Sequence, residues 1–460
     1  MLSYAAFLMG LGLWIGRRVR TAGDFFVAGR RLGPGLLAST MLAANIGAGS
    51  TVGAAALGYR DGLSAWWWVG SAGLGSIVLA LWIGPSIRAL AEKHDLRTVG
   101  DFLEFRYGHV VRAVVAALLW VGTLAILAGQ LIAIASVLNV VTGIDRWVGC
   151  LIGGLVVTVY FTAGGLLTAA WINVVQLVVL LTGFVVVFPL TLRAVGGWDP
   201  VITATQGIEG YWSFWQGGGS GWFYLAMLGP AFIVSPGLLQ KVYGARNDAA
   251  VRVGVGINAA VLLAFAAGPP LLGMIARASF PTLLDHDLAL PTLLMETLPP
   301  LVGALGLAAL FSAEVSSSDA ILFMLSTSLS QDLYRRFVRP GASDADLLRA
   351  ARWAAIAGGI LGTGLAIVSQ SIVDALEFFY TLLSVSLFVP VIAGLYRRRV
   401  GSTEALAAIA GGVSLAAVVQ ISTAGQGVGS LTPAMCGLVA AGVAWVAASL
   451  VSQGRSGVSS

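Results

Sequence analysis

The residues able to do chemistry stand out because so few of them exist. Only 10% of the 460 residues are charged, and 58% are hydrophobic. Glu314, Ser316, Ser317, Ser318 and Asp319 sit together inside the apolar run 299–333. Ala313, Ser316 and Ser317 are spaced i, i+3, i+4, so a helix would present all three on one face. Glu377, Tyr380 and Ser384 share a face of the run 372–396, and Asn45 to Thr51 interrupt the run 35–58 with Gly47 and Gly49. Oxygen ligands dominate this set. Other chemistries lack their parts. His94, His109 and His286 lie in or near loops, and Cys150 and Cys436 sit in apolar stretches, so neither a thiolate nor an imidazole metal site is offered. The two lysines, Lys93 and Lys241, follow no glycine, which excludes a G-x-x-x-x-G-K-[ST] phosphate loop. Neither H-E-x-x-H nor G-x-S-x-G occurs, so no enzyme is expected. What remains is the binding of small species by uncharged oxygens, with ionisable groups that are costly inside an apolar span unless they have a function.

The elements that must hold these residues are membrane helices. A soluble domain carries about 25% charge, and lipid admits only helices or closed barrels. The apolar runs are too long for barrel strands. Spans of about 20 residues are expected at 2–16, 35–58, 64–87, 110–141, 147–163, 166–193, 221–243, 249–276, 299–333, 348–369, 372–396, 403–422 and 429–451, thirteen in all. The first is short and ends in Gly-Arg-Arg without a small-residue cleavage site, which suits a helix better than a signal segment. With thirteen alternating spans, 22 of the 26 Lys and Arg fall on one side, leaving Arg60, Arg146, Arg193 and Arg277 on the other. Basic residues favour the cytoplasm, so the N-terminus is expected outside and the C-terminus inside. This distribution explains the net charge of +5 without nucleic acid. Residues 1–34 read as an N-terminal helix and cytoplasmic loop, 35–396 as the core, and 397–460 as two peripheral helices and a short tail. The segment 92–108 reads as an amphipathic surface helix, and 194–220 and 277–298 as outer loops.

Two spans carry interruptions. The second contains Asn45-Ile46-Gly47-Ala48-Gly49, and the seventh contains Gly229-Pro230 and Ser235-Pro236-Gly237. Freed backbone groups inside a membrane are tolerated where they are buried in protein or line a cavity. Spans 2 and 7 lie five apart and cross in opposite directions. Matched interruptions in opposed repeats are the sequence mark of a secondary transporter's binding site. Spans 2–6 and 7–11 then form two inverted five-helix repeats. The overall expectation is an all-α polytopic membrane protein of about 13 transmembrane helices.

The runs Asp24-Phe25-Phe26-Val27-Ala28-Gly29-Arg30, Ala43-Ala44-Asn45-Ile46-Gly47, Tyr160-Phe161-Thr162-Ala163-Gly164-Gly165-Leu166 leading to Gln176, Pro236-Gly237-Leu238-Leu239-Gln240-Lys241, and Ser316-Ser317-Ser318-Asp319 leading to Gln331-Asp332-Leu333-Tyr334 stand in colinear order. Together they resemble the sodium:solute symporter family over roughly residues 1–400. The resemblance implies a leucine-transporter-type fold and sodium-driven uptake of a small organic solute. It implies a sodium site built from the carbonyls of Ala43, Ile46 and Ala313 and the hydroxyls of Ser316 and Ser317. Serines in membrane helices also bond back to their own helix or pack between helices. Where some members have an aspartate for a second cation, this chain has Asn173, while Asp319 stands on the ninth span; the pair is a candidate second cation or proton site. Glu314 suits a protonated structural group or a functional one.

For the solute, Ser50 and Thr51 follow the first break, where a half-helix would point its positive end at a carboxylate. Glu377, Tyr380 and Ser384 are further candidates. Trp66, Trp67 and Trp68 suit an outer gate or an interfacial aromatic belt. Expected partners are a small solute, sodium and the lipid bilayer of the cell membrane, in a monomer. A proton-coupled carrier of the same fold, or a channel or sensor on this scaffold, are the alternatives.

Overall fold

The computed structural model describes residues 30–369 and 371–457, with side chains except those of 160, 163–174 and 453–457. The expected first span, 2–16, lies outside the described residues.

The second span is two helices. α1 (Pro34–Asn45) starts with proline in its first turn, where a missing N–H costs nothing, and stops at Ile46, whose φ of −100° and ψ of 97° are extended. A wide π-type turn, Gly49–Gly53, leads into α2 (Ala54–Asp61). α3 (Trp66–Val78) and α4 (Gly84–Lys93) make the third span, joined by the π turn Leu79–Ile83. The surface helix expected at 92–108 is α5 (Val99–Tyr107), opened by a reciprocal cap between Thr98 and Asp101. α6 (His109–Thr142) is the fourth span.

α7 (Arg146–Ala194) contains both expected spans 147–163 and 166–193 in one helical stretch of 49 residues. Straight, it would be about 74 Å long. Its ends nevertheless meet the same face of the molecule. Arg146 donates to the Ser369 carbonyl at 2.6 Å, while Gly183 and Val187 lie against Ala309 and Gly306, close to the start of the ninth span.

α8 (Trp198–Thr205) and a two-stranded hairpin, β1 (Gln216–Gly217) with β2 (Ser220–Gly221), occupy the expected loop 194–220. The seventh span is α9 (Tyr224–Val234) and α10 (Pro236–Tyr243), broken at Ser235. Of the two expected interruptions only this one parts the helix; Pro230 is accommodated inside α9. The eighth span also divides, into α11 (Asp248–Phe265) and α12 (Gly268–Ser279), because Pro269 and Pro270 supply no N–H to continue the ladder. α13 (Ala289–Thr297) fills part of the expected loop 277–298. α14 (Pro300–Thr327) runs on through a π-type segment, Ser328–Val338, and is followed by α15 (Asp344–Val368), α16 (Ile372–Tyr396), α17 (Ser402–Ser422) and α18 (Pro433–Gly457).

Ten helical stretches among the described residues are long and apolar enough to cross a membrane. They correspond to expected spans 3, 4 and 6 to 13. The broken second span and the shorter apolar helix Arg146–Val159 hold the places of the second and fifth.

Small residues set the packing between the two halves of the core. α2 lies on α12 so closely that a Cβ at Gly58 would come 2.2 Å from the Pro270 carbonyl, and one at Gly273 would come 2.0 Å from that of Ala55. α1 packs on α11 and α14, and α6 packs on α14, α15 and α16.

The two ends of the molecule differ. At the basic end, Arg112 of α6 pairs with Asp101 at 2.9 Å, Glu104 at 2.7 Å and Asp332 at 2.7 Å. Thr98 also donates to Asp332, at 2.7 Å. These contacts tie α5 and α6 to the far end of the ninth span. At the opposite end the hairpin loop sits on α2 and α3. Tyr211 donates to the Gly58 carbonyl at 2.8 Å, Trp67 to that of Phe214 at 2.9 Å, and Ser220 to the Asp61 carboxylate at 2.5 Å.

Candidate oxygen cluster and solute cavity

The break after α1 and the serine face of α14 meet. The Ser317 hydroxyl is 3.0 Å from the Ala43 carbonyl and 3.0 Å from that of Ile46. The Ser316 hydroxyl is 3.3 Å from Ala43 O and 3.0 Å from Ala313 O. The extended conformation of Ile46 turns its carbonyl out of the helical ladder and toward α14. All five oxygens named from the sequence thus converge. Two hydroxyl protons serve four contacts to three carbonyls, so lone pairs are in surplus. A hard monovalent cation accepts such a set: oxygen ligands at about 2.3–2.6 Å lie on a shell whose neighbouring oxygens are roughly 3.4 Å apart, close to the spacings here. Gly47 makes the approach possible, since a Cβ there would lie 2.2 Å from Ser317 Oγ.

Beside this cluster is a cavity lined by Asn45, Gly47, Ser50, Trp68, Gln130, Phe232, Ser317, Leu376 and Tyr380, with smaller apolar residues between them. Gly47 and Ser317 belong to both cavity wall and oxygen cluster. Among the lining residues none is charged. A second cavity lies toward the basic end, lined by Thr98, Gly100, Pro236, Gln240, Met324 and Asp332 among others. The break at Ser235–Pro236 therefore opens on this second space, and the break at Ile46 on the first.

The other sequence candidates divide. Ser50 lines the first cavity but spends its hydroxyl on the break itself, accepting from Gly47 N–H at 3.0 Å and donating to the Asn45 or Gly47 carbonyl. Tyr380 lines the cavity and makes no hydrogen bond with its hydroxyl among the described residues. Thr51 faces away: its hydroxyl is 2.8 Å from both Gly47 O and Glu314 Oε1. Glu377 is not in the wall. It accepts from Tyr224 at 3.1 Å, on the far side of Trp68, whose ring meets that of Tyr224 edge-on at 5.0 Å. Ser384 donates to the Met227 carbonyl at 2.6 Å and fastens α16 to α9. Asp319 is buried on α14 beyond Ser316; the side chain of Asn173 lies outside the described residues, so their expected pairing has no geometry here. Glu314 is fully buried, bonded through Oε1 to Thr51, and its Oε2 has no partner among the described residues.

Trp67 and Trp68 are buried, not arrayed at an interface. Trp68 donates to the Gly49 carbonyl at 2.9 Å and closes the first cavity toward the hairpin end. The burial of Trp67 and Trp68 departs from the interfacial aromatic belt for these two.

Two residues escaped the sequence analysis. Gln130 of α6 accepts from Ala48 N–H at 2.9 Å, holding the first amide after the break. Asn258 of α11 accepts from Asn45 and donates to Ser76, at 2.9 and 3.2 Å. Each is a lone amide inside a long apolar run, and that isolation was the available signal.

The model of the sodium:solute symporter family matches residues 25–412. The sodium/pantothenate symporter of Escherichia coli (strain K12) is 27% identical over 95% of this chain and 93% of its own. The human sodium/iodide cotransporter is 28% identical over 72% of this chain, which spans 54% of that protein's length. Among solved structures, a Na+-coupled sialic acid symporter in a substrate-bound, outward-open state superposes with a TM-score of 0.78 at 20% identity, covering 98% of this chain and 96% of that one. The nucleobase-cation-symport-1 transporter Mhp1 in a closed conformation gives 0.60 at 14% identity, covering 92% and 93%. The likeness to both structures is one of fold.

Proposed function

The chain belongs to the sodium:solute symporter family, a multi-pass membrane protein that moves a small solute with sodium, and we propose that Ala43, Ile46, Ala313, Ser316 and Ser317 bind the coupling sodium while the adjoining cavity binds the solute. One observation carries this reading: five oxygens from the break and from α14 converge with more lone pairs than protons to satisfy them.

Spans 2–6 and 7–11 act as inverted repeats in a thirteen-helix chain, with the basic end cytoplasmic. The breaks at Ile46 and Ser235, one in each repeat, support this arrangement. Sodium entering from outside joins α1 to α14 across the repeats and steadies the wall that Gly47 and Ser317 share with the cavity. Rocking of the repeats then opens the cavity lined by Pro236 and Asp332 toward the cytoplasm, where sodium is dilute. A membrane potential contributes about 2.3 kcal/mol per charge per 100 mV to each sodium carried.

The test is thermal unfolding of the purified protein at fixed pH with sodium, potassium or choline chloride. Sodium alone should raise the melting temperature by mass action. Ser317→Ala should reduce apparent sodium affinity by about 10- to 100-fold, as expected for loss of one ligand to a charged group. Equal stabilisation by all three salts, or an unchanged sodium affinity in Ser317→Ala, would remove the assignment.

A further inference from the structure

The chemical class of the solute can be read from which hydrogen-bonding groups of the cavity are already spent. Trp68 Nε1 is committed to the Gly49 carbonyl and the Ser50 hydroxyl to the break. Asn45 Nδ2 donates to Asn258, which leaves Asn45 Oδ1 as one uncharged acceptor. Gln130 is different. Its Oε1 is fixed by Ala48 N–H at 2.9 Å, which sets the orientation of the amide, and its Nε2 makes no hydrogen bond among the described residues. The Tyr380 hydroxyl makes none either. Two unused donor groups therefore line this cavity.

Their position matters as much as their number. A Cβ at Gly47 would lie 2.2 Å from Ser317 Oγ and 2.7 Å from Gln130 Oε1, so the Gln130 amide stands next to the oxygen cluster. With sodium in place, that end of the cavity has a positive charge and an N–H donor side by side. Phe232, Tyr380 and Trp68 form an aromatic wall, with ring centroids 5.6 Å apart for Phe232–Tyr380 and 6.1 Å for Trp68–Tyr380. Among the lining residues there is no carboxylate to receive a cation. An unpaired charge in such surroundings is costly. A net cation would also be repelled by the sodium.

We propose that the solute is a small organic carboxylate whose carboxylate accepts a hydrogen bond from Gln130 Nε2 beside the bound sodium and whose apolar part lies against Trp68, Phe232 and Tyr380. This rests on the sodium assignment above and narrows it. Gln130 is then a binding residue with two roles: Oε1 fixes the broken backbone, and Nε2 reads the solute. Because ion and carboxylate sit together, binding is reciprocal, each raising the other's affinity by one factor.

The experiment is a thermal-shift panel on the purified full chain, each compound tested with sodium and with potassium. The compounds are shape-matched sets: a carboxylate, its amide and its amine (for example isovalerate, isovaleramide and isopentylamine), with proline, glycine betaine, pantothenate and choline added. The expected result is sodium-dependent stabilisation confined to carboxylate-bearing compounds. Gln130→Glu keeps the shape and the acceptor for Ala48 but replaces the donor with a like charge. It should weaken carboxylate binding by about 10- to 100-fold, read against the sodium-only shift of the same variant. Tyr380→Phe should weaken it less. The proposal falls if an amine or choline is the strongest sodium-dependent ligand, if no carboxylate stabilises, or if Gln130→Glu binds carboxylates as before. Loss of the sodium-only shift in the unmodified protein would instead overturn the ion site, and so separates the two failures.

Discussion

At the scale of single residues, a buried carboxyl outside the spans has the most direct consequence. Asp287 follows the hairpin-end loop, is 3% exposed, and accepts from Ile372 N–H at 3.1 Å, capping the start of α16. Burial pushes its carboxyl up to about 7; Asp285 and Asp374 add to this, while the Ile372 amide and Arg146 oppose it. In an unfolded chain the group titrates near ~3.9. A raised folded value means that the group is protonated more readily in the native state. Its contribution is therefore fully present below about pH 4 and is lost as pH rises through about 7. Asp287→Asn keeps the cap acceptor and removes the titration. It should raise the melting temperature at pH 8, raise it less at pH 5, change it little at pH 4, and flatten the profile between. A melting curve equally pH-dependent in both proteins would exclude Asp287 as the source.

Individual elements show why some of this was legible in sequence and some was not. The break in the second span was readable because Asn45, Gly47 and Gly49 concentrate helix-weakening residues where lipid forbids loose backbone. The serine face of α14 was readable because i, i+3, i+4 spacing is a local property. Long-range partners were not: nothing local says that Gln130 reaches Ala48, that Thr51 turns to Glu314, or that Ser384 clamps Met227 and so leaves the solute site. The tandem prolines at 269 and 270 were visible, yet hydropathy alone merged α11 with α12 into one span. The helix α5 can be tested as an element. Thr98 accepts from Asp101 N–H at 3.0 Å and donates to Asp332 at 2.7 Å, so one hydroxyl both starts α5 and joins it to the π-type continuation of α14. Thr98→Val keeps the shape and should cost about 1–2 kcal/mol, read as a lower melting temperature. Thr98→Ser should restore most of it. If both variants melt alike, the hydroxyl is not what holds the element.

For the whole molecule, alternating access requires that the two ends open in turn. The contacts that close each end are therefore levers on one equilibrium. At the hairpin end, Trp68, Tyr224 and the 206–223 loop cover the first cavity. At the basic end, Arg112 and Thr98 close on Asp332 beside the second. On the proposed ion site, sodium at the break would favour the closed basic end, because it would draw α14, whose continuation carries Asp332, against α1. A ligand shifts such an equilibrium only by its difference in affinity between the two states. Weakening the basic-end contacts must then lower apparent sodium affinity without touching any sodium ligand. Asp332→Asn removes the charge that faces Arg112 but leaves Asp101 and Glu104 to pair with it, so the fold should survive. Placed with Met324→Cys, in the wall of the second cavity, it should speed modification by a membrane-impermeant thiol reagent added at the cytoplasmic face; the native Cys150 and Cys436 are buried. Saturating sodium should slow that modification again, and the sodium concentration giving half the effect should rise by the factor by which the sodium-free closed population has fallen. Faster labelling with no change in sodium dependence would mean that the basic-end contacts and the oxygen cluster are not coupled through α14.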